Sequence, residues 1–128
     1  MWRKARRRGV AKDDEVRYAE RRREMVDLQL IPRGIDDRRV LEAMERIPRE
    51  RFVLPGQRAE AYRDCALPIA MGQTISQPFT VAYMCQALRL SGTERVLEVG
   101  TGSGYAAAVL AELASEVYSI ERLESLAN

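Results

Sequence analysis

The sequence contains no histidine. Imidazole is the side chain best suited to proton transfer near neutral pH, and it is also a common metal ligand. Its absence excludes Ser–His and Cys–His nucleophile pairs, imidazole general bases and imidazole metal sites from these 128 residues. Any chemistry that this chain carries must therefore proceed without an imidazole group.

Cysteine is scarce as well, and long hydrophobic runs are missing. The two cysteines, Cys65 and Cys85, are too far apart in sequence for a metal knuckle or a redox pair, so we expect reduced thiols in the core. No stretch approaches the roughly 18 consecutive apolar residues of a membrane span, and the N-terminus lacks the apolar centre of a signal peptide. We expect a cytoplasmic protein that does not bind membranes.

Net charge is small. The 21 basic and 19 acidic residues give a net charge of +2, which does not indicate nucleic acid as the main partner. Basic residues are concentrated between Arg3 and Arg8, in a polar segment without an apolar period. We expect residues 1–12 to form a disordered basic tail.

The segment that follows, residues 13–60, is predicted to form a small helical cap. Apolar residues recur at spacings of three and four over residues 13–30, as in an amphipathic helix. A second helix is expected to begin near Asp36, which can cap it, and to stop at Pro48. Two short helices do not stabilise themselves in water, so their apolar faces should pack on the main domain.

The pattern of residues 61–128 is typical of an α/β fold. A loop with one short strand leads to a helix that begins at Pro78. A strand over residues 95–99, a helix to about Ala114 and a strand over residues 117–120 then form a β-α-β unit, whose strands should be parallel. Two strands leave the sheet edges uncovered, so we expect the chain to be part of a larger domain.

Three glycines lie in the turn between the two strands. In a dinucleotide fingerprint the third glycine follows the second by three residues, whereas Gly104 follows Gly102 by two, so the spacing does not fit NAD. Glu98 precedes the turn, and Glu121 ends the second strand, where a carboxylate can accept hydrogen bonds from both hydroxyls of a ribose. The pattern indicates an adenosyl ligand. A structural turn beside a solvated acid is the simpler alternative.

A polar segment lies before the β-α-β unit. The sequence from Gly72 to Pro78 reads Gly-Gln-Thr-Ile-Ser-Gln-Pro, and it places two hydroxyls and two amides beside a helix N-terminus. Such a place can hold a carboxylate. On these grounds alone, a serine such as Ser76 is more often only a helix cap.

Taken together, these segments resemble the protein-L-isoaspartate O-methyltransferase family from about Glu20 onward. The Glu-x-Gly-x-Gly-x-Gly pattern is similar to the first motif of class I methyltransferases, and the Gly-Gln-Thr-Ile-Ser-Gln-Pro string is more specific to this family. The resemblance implies the N-terminal half of a class I, Rossmann-like methyltransferase fold, preceded by a small helical cap. It also implies S-adenosyl-L-methionine as the cofactor.

The resemblance assigns roles to individual residues. Ser76 corresponds to the active-site serine of the family, and Glu121 to the acid that binds the ribose. The residues expected to bind the cofactor are Thr74, Ile75, Glu98, Gly100, Thr101, Gly102, Gly104 and Glu121. The chain departs from the family at Cys65-Ala66 and at Ala106, outside these motifs.

The reaction implied by the resemblance moves a methyl group from S-adenosylmethionine to the α-carboxylate of an L-isoaspartyl residue in a damaged protein, as a step of repair. The expected partners are isoaspartyl proteins or peptides, with neither nucleic acid nor membrane, and the chain is expected to be a monomer. Two alternatives stay open. One is a non-catalytic, truncated module that binds the cofactor, and the other is a methyltransferase for another substrate.

Overall fold

The computed structural model describes the backbone of residues 2–127 and the side chains of residues 12–127. Helix α1 (Trp2–Met25) continues through a wider turn over Val26–Leu30 and a 3-10 turn over Ile31–Arg33. The helix ends at Gly34, whose φ of 94° lies in the left-handed region that favours glycine. The predicted first helix is confirmed.

The structure differs from the predicted disordered tail over residues 1–12, because α1 begins at Trp2. The tail has no apolar period, but it is rich in arginine, lysine and alanine, which have high helix propensity. Adding such residues to an existing helix costs far less than starting a new one. The side chains of residues 1–11 and residue 128 lie outside the described residues, so the role of the tail stays a prediction.

Helix α2 (Arg38–Arg46) is capped by Asp37 rather than by the predicted Asp36. The Asp37 carboxylate accepts hydrogen bonds from the backbone N–H groups of Arg39 and Val40 at 3.0 and 3.4 Å. The backbone N–H groups of Asp36 and Asp37 both donate to Gln86 Oε1 at 2.9 Å. This acceptor comes from a distant helix, so sequence spacing does not reveal it.

Two short strands follow where one was expected. 3-10 turns over Arg49–Arg51 and Pro55–Glu60 lead to β1 (Leu67–Pro68), which pairs antiparallel with β2 (Thr74–Ile75). Helix α3 (Pro78–Ala87) then begins at the proline, as predicted.

The predicted β-α-β unit is confirmed. Strand β3 (Arg95–Val99) and strand β4 (Glu116–Ile120) are parallel, and their register runs from Arg95 opposite Glu116 to Val99 opposite Ile120. Helix α4 connects them and is shorter than predicted, since it ends at Ala111. A short helix, α5, follows β4. The bounds of these two helices are Tyr105–Ala111 and Glu124–Ala127.

One core joins the N-terminal helices to the β-α-β unit. Arg39 of α2 donates hydrogen bonds to the carbonyl oxygens of Leu90 at 2.7 Å and Leu113 at 3.0 Å. Cys85 is buried and Cys65 is half-buried, and both are free thiols. The buried apolar side chains of the core include Met25, Leu30, Ile35, Val40, Met44, Ile75, Val81, Tyr105, Val109 and Leu113.

The opposite face of the β3–β4 sheet is exposed. Leu97 and Val99 are 63% and 75% exposed, and they lie beside the exposed Tyr118 and Ile120 of the neighbouring strand. Val96, on the other face, packs against the core. The described helices therefore cover one face of the sheet only. Among the described residues, no helix combines the length and the apolar composition needed to cross a membrane.

The turn before β3 is closed by Glu94. One carboxylate oxygen accepts hydrogen bonds from Ser91 N and Oγ at 2.8 and 2.7 Å, and the other accepts from the N–H groups of Gly92 and Thr93 at 3.0 and 3.1 Å. The hydrogen bonds from Ser91 contribute most to lowering the pKa of Glu94, which falls to about 2. The folded chain therefore favours the ionised carboxylate.

Replacing the helix cap should destabilise the protein. Asp37→Ala removes the acceptor for two N–H groups at the start of α2, and we expect a loss of about 1 kcal/mol in the free energy of unfolding. Urea titration measures this change. The matched control is Asp36→Ala, which should change the free energy by less than about 0.5 kcal/mol. Equal losses in the two variants would contradict the assignment of the cap.

Glu94 should link stability to pH. The pKa of a glutamate in an unfolded chain is about 4.3, and the folded value is about 2, so the contribution of Glu94 is present above about pH 4.3 and is lost as the pH falls toward the folded value. We expect the wild type to be more stable than Glu94→Gln at neutral pH. Urea titrations below about pH 4.3 should find a narrowing difference. A difference that is constant with pH would contradict this prediction.

Candidate functional site

The turn between β3 and α4 is fixed by one backbone carbonyl. Ile120 O, at the end of β4, accepts hydrogen bonds from Gly100 N at 2.8 Å and Thr101 N at 3.2 Å. Gly100 has a φ of 91° and Gly104, at the start of α4, has a φ of 85°, which residues with a Cβ rarely adopt. A Cβ built at Gly100 meets no atom within 4 Å, so its backbone faces open space.

Glu98 is held by a chain of hydroxyl groups. Ser119 Oγ donates to Glu98 Oε1 at 2.5 Å and lies 2.6 Å from Thr101 Oγ1. Because the single Ser119 proton points to the carboxylate, the hydrogen bond between the hydroxyls is donated by Thr101. These two hydroxyl groups orient the half-buried Glu98 side chain toward the glycine turn.

Glu121 is held by backbone amides. Leu123 N donates to Oε1 and Gly102 N donates to Oε2, each at 2.9 Å. These hydrogen bonds hold the pKa of Glu121 below its ordinary value. Glu121 is therefore a carboxylate at neutral pH, and it remains able to accept further hydrogen bonds.

A cavity of about 90 Å³ lies between the serine segment, which is the polar stretch from Gly72 to Pro78, and the glycine turn. Ile75, which lines the cavity, is buried, and Ser76 follows directly in the sequence. The predicted site residues that line the cavity are Thr74, Ile75, Ser76, Glu98, Gly100, Thr101 and Gly102. Two segments that are separate in sequence therefore meet at one place.

Glu121 and Gly104 lie outside that cavity. Glu121 lines an open cleft of about 460 Å³ on the other side of the turn, together with Ile120 and Arg122. Gly100 lines both spaces, so the cavity and the cleft adjoin at this residue. Gly104 is the N-cap residue directly before α4, and it lines neither the cavity nor the cleft. The arrangement suits an elongated ligand that lies across Gly100.

Four further residues line the cavity and were not predicted: Val81, Ser103, Tyr105 and Ala106. Tyr105 is buried, and its ring packs edge-on against Phe52 with centroids 5.7 Å apart. Burial raises the pKa of Tyr105 to about 12, so the phenol stays protonated. Tyr105 directly follows the last glycine of the turn in the sequence, but this position does not indicate that its ring forms part of the cavity wall.

The chemistry of the site suits an organic ligand with hydroxyl groups and a positive charge. Glu98 and Glu121 are acceptors at its two ends, and the open backbone at Gly100 allows close approach between them. Among the described residues, no group of three or more His, Cys, Asp or Glu side chains could hold a metal ion. These features fit S-adenosylmethionine, which carries an ammonium and a sulfonium at one end and ribose hydroxyls toward the other.

Comparison with known sequences finds relatives that are described as methyltransferases, in agreement with a site for S-adenosylmethionine. A sequence model of the protein-L-isoaspartate(D-aspartate) O-methyltransferase family matches residues 20–128. A protein-L-isoaspartate O-methyltransferase 2 of Marinobacter nauticus is 67% identical over 106 residues, which are 83% of this chain and 48% of the relative. A protein-L-isoaspartate O-methyltransferase of a Synechococcus strain is 62% identical over 110 residues, 86% of this chain and 45% of the relative.

Solved structures also resemble the chain. One protein-L-isoaspartate O-methyltransferase has a TM-score of 0.68 at 30% identity, over 81% of this chain and 35% of the other. A Plasmodium falciparum protein described as a methyltransferase of this kind, in complex with S-adenosyl-L-homocysteine, has a TM-score of 0.69 at 27% identity, over 82% and 50% of the two chains. The chain spans about half the length of the curated relatives it matches. It belongs to the protein-L-isoaspartate(D-aspartate) O-methyltransferase family.

Proposed function

We propose that the chain supplies the cofactor loop and the catalytic serine for methyl transfer from S-adenosylmethionine to the α-carboxylate of L-isoaspartyl residues in damaged proteins. The observation that carries this proposal is the single cavity lined by Ser76, Glu98 and Gly100. The names of the relatives and the S-adenosyl-L-homocysteine in the P. falciparum structure support the same activity.

In this proposal the cofactor lies across the glycine turn. Glu98 and the Thr101 hydroxyl hold its amino-acid end, and Glu121 accepts hydrogen bonds from the ribose. Gly100 and Gly102 let the ligand approach the backbone, Gly104 sets the start of α4, and Thr74 and Ile75 form the opposite wall. When bound, S-adenosylmethionine supplies an activated methyl group for transfer to an oxygen nucleophile.

Ser76 acts on the substrate in this proposal. A main-chain carboxylate has a pKa of roughly 3.5, so it is already ionised at neutral pH and needs no general base. A chain without histidine can therefore carry this reaction. The Ser76 hydroxyl donates a hydrogen bond that orients the carboxylate, and correct orientation contributes several kcal/mol to lowering the barrier.

A second candidate is a cofactor-binding module without catalytic activity. The observation that favours it is the exposed face, at Leu97 and Val99, of the β3–β4 sheet, which has two strands in the described residues. Both candidates predict binding of S-adenosyl-L-homocysteine, and methyl transfer to an isoaspartyl peptide separates them. We also propose that the protein is a monomer and that it is cytoplasmic, and the two free thiols, Cys65 and Cys85, support the cytoplasmic location.

Cofactor binding should depend on Glu121. Glu121→Gln removes the charge that strengthens hydrogen bonds to the ribose, and we expect affinity for S-adenosyl-L-homocysteine to fall about tenfold, or about 1.4 kcal/mol. Isothermal titration of the 128-residue chain measures this change. Glu124→Gln, on the exposed surface of α5, is the matched control and should leave the affinity unchanged. Equal affinities for wild type and Glu121→Gln would contradict the ribose contact.

Catalysis should depend on Ser76. We expect Ser76→Ala to lower methyl transfer to an isoaspartyl peptide by about ten- to hundredfold, while affinity for S-adenosyl-L-homocysteine changes less than about twofold. The exposed Ser115→Ala is the control. Activity is measured for the 128-residue chain and for a chimera in which it replaces the matching half of the Marinobacter nauticus relative.

The two proteins distinguish the candidates. If the chimera is active, the 128-residue chain is inactive and Ser76→Ala abolishes the activity of the chimera, then this chain supplies the serine and needs further strands. If Ser76→Ala lowers the affinity for S-adenosyl-L-homocysteine as much as it lowers activity, the proposed role of Ser76 is contradicted. A Ser76→Ala chimera with wild-type activity would also contradict it.

A further inference from the structure

Arg49 is a fully buried arginine directly behind the Ser76 segment. Its Nη2 donates a hydrogen bond to the carbonyl oxygen of Ser76 at 2.8 Å, and its Nε donates to the carbonyl oxygen of Ala61 at 2.7 Å. The guanidinium carbon lies 4.9 Å from the centroid of the Tyr105 ring. One side chain therefore contacts the serine segment, the segment before β1 and the first residue of α4.

The burial of this charge is not explained by an ion pair. None of the salt bridges between described side chains includes Arg49, and its Nη1 atom has no hydrogen-bond partner among them. Burial lowers the pKa of Arg49 from its ordinary value. An apolar side chain of similar volume usually costs less at such a position, so stability alone does not account for an arginine here.

The geometry of the guanidinium accounts for it. Its donors are fixed in one plane, so Arg49 holds the carbonyl groups of Ala61 and Ser76 at a set separation while its face packs on Tyr105. Tyr105 and Ser76 both line the cavity. Arg49 thus contacts residues on both sides of the cavity, the segment that carries Ser76 and the start of α4.

We propose that Arg49 is a positioning residue, which sets the Ser76 backbone at the correct distance from the glycine turn. The effect of Arg49 on catalysis rests on the proposed function of Ser76. Arg49 lines neither the cavity nor the cleft and so is placed behind the reacting groups. It acts through Ser76 and Tyr105.

Arg39 offers a matched control within the same chain. It also donates to two backbone carbonyl groups, those of Leu90 and Leu113, at 2.7 and 3.0 Å. It joins α2 to the β-α-β unit and does not contact the serine segment. Arg39→Lys and Arg49→Lys therefore remove the same kind of bridge at two different places.

The first experiment is hydrogen exchange on the 128-residue chain, followed by mass spectrometry. A lysine keeps the charge but has a single donor group, which cannot reproduce the planar fork. In Arg49→Lys we expect the backbone amides of residues 74–77 to exchange at least tenfold faster than in wild type. Arg39→Lys should leave this segment unchanged. Unchanged exchange in Arg49→Lys would overturn the inference, whatever the outcome for catalysis.

The second experiment compares two affinities. With S-adenosyl-L-homocysteine at saturation, Arg49→Lys should bind an isoaspartyl peptide at least tenfold more weakly than wild type, while its affinity for S-adenosyl-L-homocysteine changes less than threefold. A purely structural role would lower both affinities together, or would lower them equally in Arg39→Lys, and either result would overturn the inference. If neither the wild-type chain nor the wild-type chimera with the Marinobacter nauticus relative binds either ligand, the proposed function is contradicted, and the exchange result still tests Arg49.

A second variant covers the case in which the lysine variant does not fold. Arg49→Met retains most of the volume without a buried charge, and circular dichroism reports whether it is folded. The same faster exchange of residues 74–77 is expected, because the carbonyl of Ser76 again loses its donor. A folded Arg49→Met chain with wild-type exchange in this segment would overturn the inference.

Discussion

The carbonyl group of Ile120 is the point on which the site depends. The parallel register of β3 and β4 ends with Val99 opposite Ile120, and the Ile120 carbonyl then receives two amides from the turn, those of Gly100 and Thr101. This arrangement brings the ends of both strands to one edge of the sheet. Ligand sites of open α/β sheets lie at this edge.

The elements around the site were predictable where one local rule decided the outcome. The helix start at Pro78, the strand at residues 95–99 and the parallel pairing of β3 with β4 follow from proline geometry, apolar period and the β-α-β connection. Where two local choices were equal, the sequence did not decide between them. Asp36 and Asp37 are both suitable helix caps, and the structure uses Asp37, while Gln86 accepts hydrogen bonds from the N–H groups of both residues.

The site itself was predictable in its residue types and less so in its arrangement. Ser76, Glu98 and Gly100 line one cavity, but Glu121 lies in an adjoining cleft, because the turn separates the two spaces. The roles assigned to these residues stay predictions. Arg49 gave no sequence signal, since a basic residue after a proline usually lies on the surface. Its burial depends on three segments that meet only in the folded chain.

The groups around the glycine turn have a consequence for acid tolerance. Backbone amides hold the pKa of Glu121 below its ordinary value, and burial raises the pKa of Tyr105 to about 12. The chain has no histidine, the side chain that ordinarily titrates between pH 5 and 8. A fall of one pH unit inside a cell under stress would therefore leave the charges of these two groups unchanged, and with them the contribution that these groups make to the electrostatic field beside the turn.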